Sequence, residues 1–287
     1  MHQMSPTMKR AMDFHVAQLL RHGVLQPSQS NWCAQPLLVK KAKFDPSNPE
    51  CHKDLRFVVD FRMLNSITKT PSVSKLIPKV SECLAAFQAS KVYSCVDMRS
   101  SYHQIPLAPE SREKTAFVTS SGLWEYTRCS MGLSISSGAL LTTLNRCLAG
   151  LDCVVIYCDD IAIFSDDEAQ HLKDLAAVFE RLRQGGIQLS ATKVELFLTH
   201  MDFLGFTVSV DGIKPSLKKV EAIAGFPRLN TAKAAASFAG MVGYYRAYIP
   251  RLSEILAPIY HAVNLRPYVR TKKVDESQDH LRLQLMS

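Results

Sequence analysis

The apolar residues of the chain switch repeatedly between helical and strand-like spacing. Met12, Val16, Leu19 and Leu20 recur at helical intervals within Met8–Leu20, and Gly23 follows as a stop. Gln26–Trp32 is rich in turn formers, and Pro36–Val39 and Leu55–Val59 read as two strands joined by a polar loop at Asp45–His52. Val92–Val96 is a short apolar strand that ends on Asp97. Ala116–Thr119 and Trp124–Arg128, split by Ser120-Ser121-Gly122, predict a hairpin, and Ser137–Leu148 predicts a helix. The sharpest local pattern follows. Cys153–Ile156 and Ile161–Phe164 are apolar strands separated only by Tyr157-Cys158-Asp159-Asp160, which predicts a hairpin with two acids at its tip. Ser165 and Glu168 have the spacing of a capping box. Leu172, Leu175, Ala176, Phe179 and Leu182 then give one apolar helical face, closed by Gly185-Gly186. Strand material returns at Ile187–Leu189 and Phe203–Val210. Beyond Lys214-Pro215 the spacing predicts helices over Leu217–Ala224, Ala232–Tyr248 and Leu252–Val263. Asn264–Ser287 is polar with weak periodicity and reads as a poorly ordered tail.

Composition narrows the class. A chain of 287 residues that is 47% apolar and 21% charged is of ordinary globular type, with length for about two domains. Collagen-like, coiled-coil and wholly disordered classes are excluded, and no apolar run reaches the roughly 18 residues of a membrane span. The net charge of +8 is uneven: Asp211–Ser287 holds twelve basic and six acidic residues, against twenty-two and twenty before it. Such a basic C-terminal part suits a polyanion gripped from one end, although ordinary solubility charge would look the same. The eight cysteines form no CxxC pair, no His cluster completes a zinc spacing, and no signal peptide opens the chain. Those features imply a reducing, intracellular compartment.

The chemistry rests on three acids. Adjacent carboxylates at a tight turn repel, and a divalent cation is the usual remedy. Oxygen-only ligands point to Mg²⁺ or Mn²⁺. If the strand carrying Asp97 lies beside the hairpin, Asp97, Asp159 and Asp160 converge on a site suited to two-metal phosphoryl transfer. An isolated Asp-Asp pair is more often a solvated turn.

Tyr157-Cys158-Asp159-Asp160 resembles the Tyr-x-Asp-Asp box of reverse transcriptases, and its surroundings are similar to gypsy-type LTR retrotransposon polymerases. Leu55–Asn65 resembles the fingers motif and Tyr93–Ile105 the first catalytic motif. Lys114–Phe117 precedes the nucleotide-side motif at Met131-Gly132-Leu133. Phe203–Phe206 resembles the primer grip, and Ser237–Gly240, Gly243–Arg246 and Tyr248–Pro250 resemble the thumb. The blocks occur in the family's order over roughly residues 5 to 263, which no single block could establish.

The resemblance implies an α+β right-hand polymerase fold with fingers, a palm built on an antiparallel sheet, and a helical thumb. It divides the chain into an N-terminal helix (1–22), fingers and palm (23–210), thumb (211–263) and an unassigned basic tail (264–287). It implies Asp97 and Asp159 as metal ligands with Asp160 completing the acidic cluster, and Mg²⁺ or Mn²⁺ as cofactor. The triphosphate would meet Arg56, the backbone N–H groups of Ser100 and Ser101, and Lys193 as a proton donor to pyrophosphate. Tyr102 would exclude a ribose 2′ hydroxyl. Arg62 would help order the template or the fingers. Phe203, Leu204 and Gly205 would place the primer end, and Gly240 and Tyr244 would track the duplex. The implied partners are an RNA or DNA template with its primer and deoxynucleoside triphosphates, with no membrane. Cys129–Ser137 departs from the family by lacking two prolines and an asparagine, Leu141 stands where many members have a glutamine, and Ser101 replaces a glycine. The loop Asp45–Asp54 is longer than usual. No RNase H segment follows the thumb, which suggests a piece of a larger polyprotein or a decayed copy. The alternative expectation is therefore a catalytically dead relic that keeps the fold, or a thumb that serves as a protein-binding module.

Overall fold

The computed structural model describes residues 5–41, 44, 45, 48, 50–69 and 77–264. The expectation for the tail falls almost entirely on residues 265–287, outside the described residues. The chain divides into two compact units, one from residues 1–83, 94–164 and 169–196, the other from 84–93, 165–168 and 197–287.

The first unit opens with α1 (Pro6–Arg21), started by the Ser5 side chain accepting the Met8 N–H and by Pro6 in the first turn. It buries Ala11, Met12 and Val16. The turn-rich stretch after it yields β1 (Leu25–Pro27), which pairs with a later strand, β6, through Leu25↔Tyr126. Pro27 is tolerated there because β1 is an edge strand. β2 (Gln35–Lys40) and β3 (Leu55–Asp60) pair antiparallel in the anticipated places. Two six-residue helices escape sequence reading, α2 (Arg62–Ile67) and α3 (Val80–Ala85), because so few residues cannot display a helical period. β4 (Val92–Asp97) follows, then α4 (Pro109–Arg112). β5 (Phe117–Thr119) and β6 (Gly122–Tyr126) form the anticipated hairpin, closed by the two-residue turn Ser120-Ser121.

α5 (Ser136–Cys147) leads to the hairpin of β7 (Val154–Tyr157) and β8 (Asp160–Ser165). α6 (Glu168–Gln184) starts later than the capping-box spacing implies. Ser165 instead completes β8, and its carbonyl accepts the Lys91 N–H at 2.9 Å. The buried face of α6 is His171, Leu175, Val178 and Leu182. Leu172, expected on it, is 62% exposed. Ile187–Leu189 is not a strand: Leu189 makes one isolated bridge to Met98. β9 (Glu195–Leu198) was not anticipated. The main sheet has the order β7-β8-β4-β9. Val96, Phe117, Tyr126, Leu140, Leu144, Ile161 and Ile163 anchor the core of this unit.

The second unit contains a three-stranded meander of β10 (His200–Phe203), β11 (Phe206–Ser209) and β12 (Gly212–Pro215). The single strand read at Phe203–Val210 is in fact a hairpin corner. Leu204 and Gly205 take φ of 52° and 81°, the left-handed pair that a tight two-residue hairpin turn demands. Helices α7 (Leu217–Ala224), α8 (Ala232–Gly243) and α9 (Leu252–Asn264) complete it. α8 stops five residues short of the predicted Tyr248. The chain there turns through a short 3₁₀ segment, Arg246–Tyr248, and Tyr244, Tyr245 and Tyr248 gather on the Phe206 ring with centroids 5.5, 5.2 and 5.4 Å away. Aromatic packing thus overrides helical propensity.

Candidate active site

The acids are brought together by the sheet. The Lys91–Ser165 bond sets the beginning of β4 against the end of β8, so the end of β4, Asp97, falls beside the start of β8, Asp160. Asp160 pairs with Tyr157 as the first residue of β8, so the turn is only Cys158-Asp159 and Asp159 alone stands at the tip. Cys158 takes a φ of 55°, which costs a non-glycine residue about 1–2 kcal/mol. All three carboxylates are half-buried.

Their mutual repulsion is visible in the titration behaviour. The Asp160 carboxyl is raised above the ordinary range, first by burial and then by the negative charge of Asp159 and Asp97, with Lys193 opposing. The Cys95 thiol is pushed up to about 11 by burial and by Asp160, Glu195 and Asp97. Lys193 answers part of this field. Its Nζ lies 3.0 Å from Asp97 Oδ2, and that bond with its charge raises the Lys193 ammonium. The Ser190 N–H donates to the Asp97 carbonyl at 2.9 Å and fastens the segment leading to Lys193 against the end of β4.

Three carboxylates and one ammonium leave an excess of negative charge with oxygen donors only. In donor chemistry and charge these residues fit Mg²⁺ or Mn²⁺. Among the described residues no three His, Cys, Asp or Glu side chains are gathered into a ready-made cage, and the Asp97 carboxylate is bonded to Lys193.

The other expected residues are distributed as follows. Arg56 is exposed on β3 opposite Val39, and no ion pair ties it to the acids among the described residues. Ser100 takes φ 48°, while Ser101, which stands where the family has glycine, does not have positive φ and is buried. A serine therefore fits the glycine position without backbone strain. Tyr102 is half-buried, with its hydroxyl 3.3 Å from Ser137 Oγ. Arg62 forks onto Asp60, with bonds of 2.9, 3.0 and 2.6 Å, and holds that carboxyl at about 2. Phe203 is buried, and Leu204 and Gly205 form the β10–β11 corner. Gly240 and Tyr244 are both exposed at one side of the end of α8. The Tyr244 hydroxyl donates to the Leu204 carbonyl at 2.8 Å, and the Tyr245 hydroxyl to the Gly205 carbonyl at 3.2 Å.

Two carboxamides that sequence reading passed over hold this part of the molecule. Asn65 Nδ2 donates to the Gly132 carbonyl at 2.7 Å, and its Oδ1 accepts the Ser134 N–H at 2.9 Å. The Ser136 hydroxyl donates to the Ser130 carbonyl at 2.8 Å. These bonds fix the loop in which the family's prolines are absent. Gln104 makes the second set. Both residues lie inside the quoted motifs, but a side chain bonded to backbone tens of residues away leaves no periodic trace.

Residues 39–208 match the family model described as reverse transcriptase (RNA-dependent DNA polymerase). The chain belongs to the reverse transcriptase family. Within it, the chain is 34% identical over 261 residues to the Retrovirus-related Pol polyprotein from transposon gypsy of Drosophila melanogaster, covering 88% of this chain and 24% of that protein. The corresponding polyprotein from transposon 297 of the same species is 34% identical over 263 residues, covering 91% and 24%. The sequence is thus of the gypsy type, and it spans about a quarter of the length of these relatives. Among solved structures, the foamy viral protease-reverse transcriptase in complex with RNA/DNA hybrid matches with a TM-score of 0.85 at 22% identity, over 99% of this chain and 38% of that one. The same viral protein in complex with dsDNA matches with a TM-score of 0.84 at 21% identity, over 99% and 58%. The right-hand polymerase fold of the reverse transcriptases is therefore the fold of this chain. No helix among the described residues is long and apolar enough to cross a membrane.

Proposed function

We propose that this chain is an RNA-directed DNA polymerase that adds deoxynucleotides to a primer 3′ end and releases pyrophosphate. The observation that carries the reading is the placing of Asp97, Asp159 and Asp160 at one end of the β7-β8-β4-β9 sheet with Lys193 on Asp97. Asp97 and Asp159 would hold Mg²⁺ or Mn²⁺, with Asp160 completing the negative cluster. The cation, when bound, supplies activation of the primer hydroxyl and charge for the leaving pyrophosphate.

The remaining roles belong to the chain itself. Lys193, released from Asp97 as ligands arrive, holds a proton for the pyrophosphate oxygen. Arg56 presents a planar fork to the triphosphate, and Ser100 and Ser101, close behind Asp97 in sequence, offer their peptide N–H groups to it. Tyr102 limits room at the sugar. Arg62 orders the fingers by way of Asp60. The corner at Phe203, Leu204 and Gly205 places the primer, and the face of α8 bearing Gly240 and Tyr244 follows the duplex. In this reading 1–22 is the N-terminal segment that carries helix α1, 23–210 the fingers and palm, and 211–263 the thumb. The foamy viral protease-reverse transcriptase is known in complex with RNA/DNA hybrid and with dsDNA, which supports a template–primer as partner.

The test is primer extension by the purified chain on an RNA template with Mg²⁺ or Mn²⁺. Extension is expected, and Asp159→Asn should abolish it. Tight primer–template binding without any incorporation would instead establish a catalytically decayed relic. A defined protein partner with no measurable nucleic-acid binding would establish the thumb as a protein-binding module.

A further inference from the structure

The loop that leaves β4 and the segment that carries Lys193 are distant in sequence, yet one carboxamide ties them. Gln104 Nε2 donates to the Arg99 carbonyl at 2.6 Å and to the Gln188 carbonyl at 2.9 Å, while its Oε1 accepts the Gln188 N–H at 2.8 Å. Every polar atom of the side chain is used, and two of its three bonds go to a single residue 84 positions away. The tie is reinforced by backbone. The Arg99 N–H donates to the Gln188 carbonyl at 3.0 Å, Leu189 bridges Met98, and the Ser190 N–H donates to the Asp97 carbonyl at 2.9 Å. Three residues further on, Lys193 reaches Asp97 Oδ2. Gln104 is itself held, because Arg128 Nη1 donates to its carbonyl at 3.1 Å and the Cys129 N–H donates to that of Ile105 at 2.8 Å.

We propose that Gln104 is a positioning residue of the polymerase reaction: it locks the Gln188–Lys193 segment against the end of β4 and thereby sets where the Lys193 ammonium stands. This inference rests on the function proposed above. A carboxamide suits the task because it alone pairs with a peptide group in both directions, one donor to C=O and one acceptor from N–H, with a second donor left for Arg99. The 3₁₀ turn Ser101–Gln104 connects this lock to the serines and tyrosine assigned to the triphosphate.

The experiment is single-nucleotide incorporation by the full chain, comparing Gln104→Ala in the unmodified and the Lys193→Ala backgrounds. Gln104→Ala is expected to lower kcat by about 10- to 100-fold, the scale of a small misplacement of a reacting group, with little change in KM for the nucleotide. In the Lys193→Ala background the same change should cost less than about twofold, because residues acting as one unit are not additive. Gln104→Glu keeps the size and the acceptor but faces two carbonyls without donors, so it should be as damaging as alanine; a merely space-filling role would tolerate it. A readout independent of activity is deuterium exchange, which should rise over residues 187–193 in Gln104→Ala and stay unchanged in the β5–β6 hairpin. Equal losses in the two backgrounds, a loss confined to KM, or unchanged exchange would each overturn the proposal while leaving the polymerase reading standing. No incorporation by the unmodified chain would overturn the polymerase reading and this proposal with it.

Discussion

The Lys193 ammonium lies 3.0 Å from Asp97 Oδ2, although the two residues are 96 positions apart. It is a cation supplied by the chain itself to a cluster of three carboxylates. Its side chain is 63% exposed, so the pair is screened and contributes little to stability. Its place is better explained by the charge of the site than by the needs of the fold.

From this pairing, Lys193→Gln should lower the maximal rate of nucleotide addition by roughly 10²-fold, at the lower end of what a proton donor contributes. The melting temperature should hardly move. Pre-steady-state incorporation alongside thermal melting separates the two outcomes, and a variant that melts early would assign Lys193 to the fold instead.

The Asn65 carboxamide holds both ends of the Gly132–Ser134 peptide stretch. Asn65→Ala removes both bonds at a partly solvated position and should cost about 1 kcal/mol in chemical denaturation. The Ser134 amide should lose protection from hydrogen exchange. An unchanged exchange rate at Ser134 would show that the loop is fixed by its own serine hydroxyls.

The Leu204-Gly205 corner predicts a backbone effect. A Cβ at Gly205 would carry φ 81° and lie 2.8 Å from the Tyr245 hydroxyl. Gly205→Ala should therefore destabilise by about 1–3 kcal/mol in urea titration. Tyr244→Phe, which removes only the hydroxyl donated to Leu204, should cost roughly 0.5–1.5 kcal/mol and weaken primer–template binding.

His171 gives a pH dependence. It is fully buried, with Nε2 2.7 Å from Ser94 Oγ, and burial depresses its pKa below the ordinary 6.5 although Asp174 pulls it upward. The unfolded chain therefore binds its proton more readily than the folded one. The stability is full above about pH 6.5 and declines as pH falls below that value. The urea midpoint should drop between pH 7.5 and pH 5.5, and His171→Gln should flatten that slope. An equally steep slope in the variant would place the titration elsewhere.

The sequence by itself determined the family, the β2–β3 and β5–β6 strand pairs, the Asp159-bearing hairpin and the position of Asp97 at a strand end. It could do so because these features are local: alternating or helical apolar spacing, a two-residue turn, and motifs read in a few adjacent positions. It did not reveal α2, α3 or β9, which are too short to show a period. It extended α8 to Tyr248, where three tyrosines instead turn onto Phe206, and it ran one strand through the Leu204-Gly205 corner. Only the tertiary structure decided that Asp160 belongs to a strand and not to the tip, that Lys193 answers Asp97, and that Asn65 and Gln104 hold remote loops. Each of these depends on which strands lie side by side and on side-chain bonds to distant backbone, and hydrogen bonding across 60 to 100 residues leaves no pattern in the order of amino acids.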